Sequence, residues 1–65
     1  MITVNGEDHA LLEGTTMRQL LTSLSMPEKG IAVAVDGTVL PKSRWDDAIV
    51  ETGSTIEVLT AVQGG

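Results

Sequence analysis

Ile31-Ala32-Val33-Ala34-Val35-Asp36-Gly37-Thr38-Val39-Leu40 joins an apolar run to a turn signal and a second, shorter run. β-Branched residues alternate with alanine as far as Val35. That suits a strand with a packed inner face and a closely covered outer face. Asp36-Gly37 is a turn dipeptide, and Thr38 to Leu40 returns as a short strand. Pro41 ends that strand or confines it to a sheet edge.

Upstream, Ser25, Pro27 and Gly30 separate this strand from a helix. Thr16 is a good N-cap with Gln19 three residues on, a capping box. Met17, Leu20, Leu21 and Leu24 fall at i, i+3, i+4 and i+7, one face of an α-helix. Further back, Ile2 and Val4 share one face of a first strand. Asn5-Gly6 follows, and both positions tolerate positive φ, so it predicts a tight hairpin. His9 to Leu12 is the expected return strand, closed by Glu13-Gly14.

Downstream, Ser43 to Val50 reads as irregular chain or a short helical turn, with Trp45 tucked against the core. Thr52-Gly53-Ser54 turns the chain. Thr55 to Ala61 is the last strand, with Ile56 and Val58 facing one way and Glu57 and Leu59 the other. Two hairpins flanking one helix predict an α+β fold, a mixed four- to five-stranded sheet with the helix packed on one face. The strand after the helical crossover should run parallel to an earlier strand. The apolar first and last strands are the candidates for the sheet centre. This is the β-grasp, or ubiquitin-like, arrangement. Residues 1–60 form the domain, and 61–65 a flexible tail ending in Gly-Gly.

With 65 residues and 42% apolar content, the chain has room for one core and no deep catalytic cleft. The net charge is −5, with only four basic residues. Phosphate backbones would repel it, so nucleic acid is excluded as a partner. An acidic chain complements a partner with a basic docking face. There are no cysteines, so disulfides and cysteine metal sites are excluded. A lone His9 cannot build a tetrahedral zinc site without carboxylate help. No apolar run approaches the eighteen or so residues of a membrane helix. No targeting segment is visible, and the expected location is cytoplasmic.

The candidate chemistry lies at Ala61-Val62-Gln63-Gly64-Gly65. A five-residue tail reaches roughly 17 Å when extended. Glycines carry no Cβ, so such a tail can enter a channel too narrow for side chains. A carboxylate oxygen can attack the α-phosphorus of ATP and form an acyl-adenylate. A sulfur nucleophile then displaces AMP and leaves a thiocarboxylate. ATP and Mg²⁺ would be held by a partner, because this chain has no Gly-rich phosphate loop leading into a helix. No cofactor is expected on the chain itself.

Three stretches resemble the thiamine-biosynthesis sulfur carrier proteins. They are Gly30-Ile31-Ala32-Val33-Ala34-Val35, Val39-Leu40-Pro41-Lys42-Ser43-Arg44-Trp45, and Ile56-Glu57-Val58-Leu59-Thr60-Ala61-Val62-Gln63-Gly64-Gly65. The resemblance implies that Gly65 is adenylated by a ubiquitin-activating-like adenylyltransferase and converted to a thiocarboxylate. It implies that the sulfur comes from a sulfur-donating enzyme and is delivered to thiazole synthase. The chain would then be a co-substrate and not an enzyme. Asp36 stands where that family often has Asn, and Arg44 where an acidic residue is common. Alternatives are the small subunit of molybdopterin synthase, with the same tail chemistry, or a passive β-grasp binding module.

Other residues have plainer expected roles. Asp46-Asp47 suits a solvated loop or helix start better than an acid pair. His9 is a half-exposed strand residue. Trp45 is a core anchor. Leu59, facing away from Ile56 and Val58, is a candidate for partner docking on the uncovered sheet face.

Overall fold

The computed structural model of the chain describes residues 1–27 and 29–60. The first strand, β1 (Ile2–Val4), turns at Asn5 and Gly6, whose φ angles are 51° and 84°. Two positive φ values give a two-residue turn that matches the strand twist. That turn fixes Val4 opposite Glu7, so the return strand β2 is Glu7–His9. It therefore starts and ends earlier than the expected His9 to Leu12. Turn geometry set its register although Glu and Asp are poor strand formers.

The helix α1 (Met17–Ser23) begins as the sequence predicts. The Thr16 hydroxyl accepts from the Gln19 N–H at 3.2 Å, and Gln19 Oε1 accepts from the Thr16 N–H at 3.0 Å. Met17, Leu20 and Leu21 are buried. The helix ends in a Schellman motif. Met26 N–H donates to Leu21 C=O at 2.9 Å and Ser25 N–H to Thr22 C=O at 3.0 Å. Ser25, at φ 60°, occupies the left-handed position.

Strands β3 (Ile31–Val35) and β4 (Thr38–Leu40) form the second hairpin around Asp36 and Gly37. A 3-10 turn, Lys42–Arg44, leads to Trp45, which is buried as expected. The last strand, β5 (Thr55–Thr60), completes a five-stranded sheet in the order β2-β1-β5-β3-β4. β1 and β5 are parallel, and the other neighbours are antiparallel. β3 accordingly runs in the same direction as β2, with β1 and β5 between them, which meets the expectation for a helical crossover. The last strand is central. β1 lies one place off-centre, flanking it as β3 does on the other side.

One sheet face carries the core. Ile2, Val4, Val33, Ile56 and Val58 pack with Met17, Leu20, Leu21 and Trp45. The opposite face differs from expectation at β3. Ala32 is exposed and Ala34 only half-buried. The alanines do not sit beneath a close covering layer, because α1 packs on the core face.

Candidate functional site

β5 occupies the sheet centre and leads directly to residues 61–65. Its two ends are fastened by turn residues from opposite flanks. At the start, Asp36 N–H donates to Thr55 C=O at 2.8 Å, and Thr55 N–H donates to Asp36 Oδ1 at 2.9 Å. Near the end, Val58 N–H donates to Asn5 Oδ1 at 2.8 Å, and Asn5 Nδ2 donates to Val58 C=O at 3.3 Å. The Asp36 side chain only accepts a bond, so a carboxylate serves there. Asn5 must accept and donate, which an amide does and a carboxylate cannot.

Leu59 is 64% exposed on the uncovered face. The register sets Ala32 opposite Leu59, and Ala34 opposite both Glu57 and Val39. Val39 is 68% exposed. Small alanines between Leu59 and Val39 make a shallow apolar strip. Its charged neighbours on this face are Glu57 and Asp8. Arg18, Lys29, Lys42 and Arg44 all lie outside the strands. The strip is thus apolar, with Glu57 beside it on the central strand and Asp8 on the edge strand β2.

The tail residues Ala61, Val62, Gln63, Gly64 and Gly65 lie outside the described residues, so the structure does not place them beside Leu59. His9 is half-buried on β2, and its Nε2 lies 3.9 Å from Glu7 Oε1. Asp46 accepts a charged hydrogen bond from Arg18, whose guanidinium lies 5.8 Å from the centre of the Trp45 ring. Arg44 is exposed on the 3-10 turn. Among the described residues no group of His, Asp and Glu could hold a metal ion. None of their helices is long and apolar enough to cross a membrane.

Sequence reasoning missed the Asn5 clamp and the strip beside Leu59. Asn5-Gly6 carried a signal only for the turn. Which strand the Asn5 amide would meet depends on the parallel β1–β5 register, which joins residues more than fifty positions apart. The alternating alanines did carry a signal. They marked a face of low relief, and its exposure became visible only once α1 was seen to cover the opposite side.

The chain matches the family model described as the ThiS family over residues 2–65. It is 31% identical over 65 residues to the sulfur carrier protein ThiS of Thermus thermophilus, covering 100% of both chains. It is 28% identical over 64 residues to the sulfur carrier protein ThiS of Escherichia coli, covering 98% of this chain and 97% of the relative. The crystal structure of the thiamine biosynthesis protein ThiS from Geobacter metallireducens superposes with a TM-score of 0.85 at 28% identity. That match covers 98% of this chain and 97% of the other. Sequence along the whole length and a shared β-grasp fold agree: the chain belongs to the ThiS family.

Proposed function

We propose that the chain is a sulfur carrier of thiamine biosynthesis, acting in the cytoplasm, with the terminal carboxylate of Gly65 as its reactive group. The observation that carries this is the family match over residues 2–65, which includes the Gly64-Gly65 end. The domain is a handle, and residues 61–65 are the arm. Ala61, Val62, Gln63 and Gly64 thread a partner's channel, where backbone without bulky side chains fits.

The chemistry then runs on partner enzymes. A ubiquitin-activating-like adenylyltransferase holds ATP and Mg²⁺. A Gly65 carboxylate oxygen attacks the α-phosphorus, and pyrophosphate leaves. Hydrosulfide released by a donor enzyme attacks the acyl carbon, a C–S bond forms, the bond to AMP breaks, and AMP leaves with the displaced carboxylate oxygen. The thiocarboxylate goes to thiazole synthase. The chain is a protein substrate in each step, and its own contribution is reach and docking.

Leu59 with Ala32, Ala34 and Val39 forms the docking strip, and Glu57 and Asp8 favour a partner surface with a basic rim. Leu59→Asp places a charge at the centre of that contact. The expected result is a KM for the activating enzyme raised about tenfold or more. Because Leu59 is exposed, the urea midpoint should reflect a stability change within about 0.5 kcal/mol. An unchanged KM would remove Leu59 from the interface.

The carrier function itself is tested by thiol alkylation. The chain has no cysteine, so a thiocarboxylate is its one strongly nucleophilic sulfur. Incubation with activator, ATP and a sulfur source should yield a single alkylated adduct mapped to Gly65. Mass gain alone is insufficient, since oxidation of Met1, Met17 or Met26 adds nearly the same mass as replacing oxygen by sulfur. Absence of any adduct under these conditions rejects the proposal.

A further inference from the structure

A central strand needs a partner on each flank. On its β3 flank, β5 is paired as far as Ile31 opposite Thr60. On its β1 flank the backbone partner runs out early. β1 stops at Val4, and the last main-chain bond on that side is Asn5 N–H to Ile56 C=O at 2.9 Å. The chain then reverses through Gly6. Two residues further along β5, Val58 presents both its N–H and its C=O to the same flank. A longer β1 would meet them with backbone groups. The Asn5 amide meets them instead, through Oδ1 at 2.8 Å and Nδ2 at 3.3 Å. One side chain stands in for the missing stretch of strand.

We infer that Asn5 is a positioning residue for the carrier's reactive end: its amide anchors the last part of β5, from which residues 61–65 continue. This rests on the function proposed above. Without the amide, the β1 flank of β5 has no anchor after Ile56, and the strand end is held from β3 alone. A frayed end must be ordered again when the partner takes it up, and ordering chain opposes binding. The carrier is the substrate of its activating enzyme, so the loss falls on KM and not on kcat. A carboxylate in place of the Asn5 amide would not serve. It would accept from Val58 N–H and leave the Val58 carbonyl facing another oxygen.

The test compares wild type, Asn5→Asp and Asn5→Gly as substrates of the activating enzyme. Pyrophosphate release is followed at saturating ATP and varied carrier concentration. Both replacements tolerate the positive φ of the turn, so the hairpin should persist. The expected result is KM raised about tenfold with kcat within about twofold of wild type. Amide exchange at Val58 should accelerate relative to Val33 in Asn5→Gly, which removes the acceptor of the Val58 N–H. Gly53→Ala is the control, because it strains a residue with φ 87° before the opposite end of β5. It lowers the urea midpoint and should leave KM unchanged. Wild-type KM in both Asn5 variants would overturn the inference, as would an equal rise in KM for Gly53→Ala. Wild-type carrier that releases no pyrophosphate would overturn the sulfur-carrier reading, and the role of Asn5 with it.

Discussion

Replacing Trp45 by alanine should leave the domain largely unfolded at room temperature. Trp45 is 2% exposed and ties three elements together. Its Nε1 donates to Leu40 C=O at 3.1 Å, at the end of β4. Its own C=O accepts from Arg18 N–H at 3.1 Å, in the first turn of α1. Its ring lies beneath the Arg18 guanidinium. Removing a buried Trp side chain costs about 3–5 kcal/mol in lost burial and cavity. The orphaned Leu40 carbonyl adds about 1 kcal/mol or more. A chain of 65 residues has a total stability of about 3–10 kcal/mol at 0.05–0.15 kcal/mol per residue, so the loss is comparable to the whole. Trp45→Phe keeps a ring and forfeits the Leu40 bond, and should cost about 1–3 kcal/mol. Trp45 is the sole aromatic residue, so its fluorescence reports wild-type unfolding, and far-UV circular dichroism in urea must follow the variants. An alanine variant with a near-wild-type midpoint would show that the core closes without this anchor.

The elements were legible wherever local chemistry decides them. Thr16 and Gln19 mark a helix start because a capping box is a short-range exchange between neighbouring residues. Asn5-Gly6 and Asp36-Gly37 mark turns because positive φ restricts residue type at those positions. Ile56 and Val58 against Glu57 and Leu59 mark the two faces of β5. Long-range pairing was less legible. Nothing local says that Val4 lies beside Ile56, so the double use of Asn5 stayed hidden. The same limit explains the error in β2. Leu11 and Leu12 attracted the strand assignment by their apolarity, yet the tight turn had already committed Glu7 to Val4. Leu12 ends up 82% exposed. Alternation alone puts Leu59 on the open face, where the structure has it. Its apolar neighbours Ala32 and Val39 required the β3 register to be known.

Asp36 shows how structure revises a resemblance. The resemblance to the thiamine-biosynthesis sulfur carriers implies Asn as a common residue at this position. Here the side chain receives one N–H, from Thr55, and the donor toward Thr55 C=O is the Asp36 backbone. No side-chain donor is needed, so Asp is as competent as Asn in holding β5. Asn5 and Asp36 occupy equivalent places in two similar hairpins, but only the former must both give and accept.

Deleting Gly65 should abolish sulfur loading, while the fold and the proposed docking strip remain intact. The shortened chain still ends in a glycine carboxylate, now that of Gly64, so the chemistry of the end group is unchanged. Its position is not. One residue of extended chain spans about 3.3–3.6 Å, whereas misplacement by about 1 Å can cost a reaction 10²-fold. If the domain docks as proposed, through Leu59 and its neighbours, the carboxylate is then held short of the α-phosphorus by several times that tolerance. The expected loss in adenylation is at least about 10³-fold in kcat/KM, with the urea midpoint unchanged. A chain of full length with Gly65 as a C-terminal amide should fail as completely for a different reason, since it reaches the site without an anionic oxygen to attack. Gly64→Ala separates a third cause. It keeps length and carboxylate and adds a single Cβ to the segment proposed to thread a narrow channel, so it should reduce loading by a smaller factor. Pyrophosphate release and thiocarboxylate alkylation, run in parallel on the three variants, distinguish reach, charge and girth. If the chain lacking Gly65 loads at the wild-type rate, the end of the molecule is not what the activating enzyme measures, and the domain's role as a handle for a fixed-length arm is wrong.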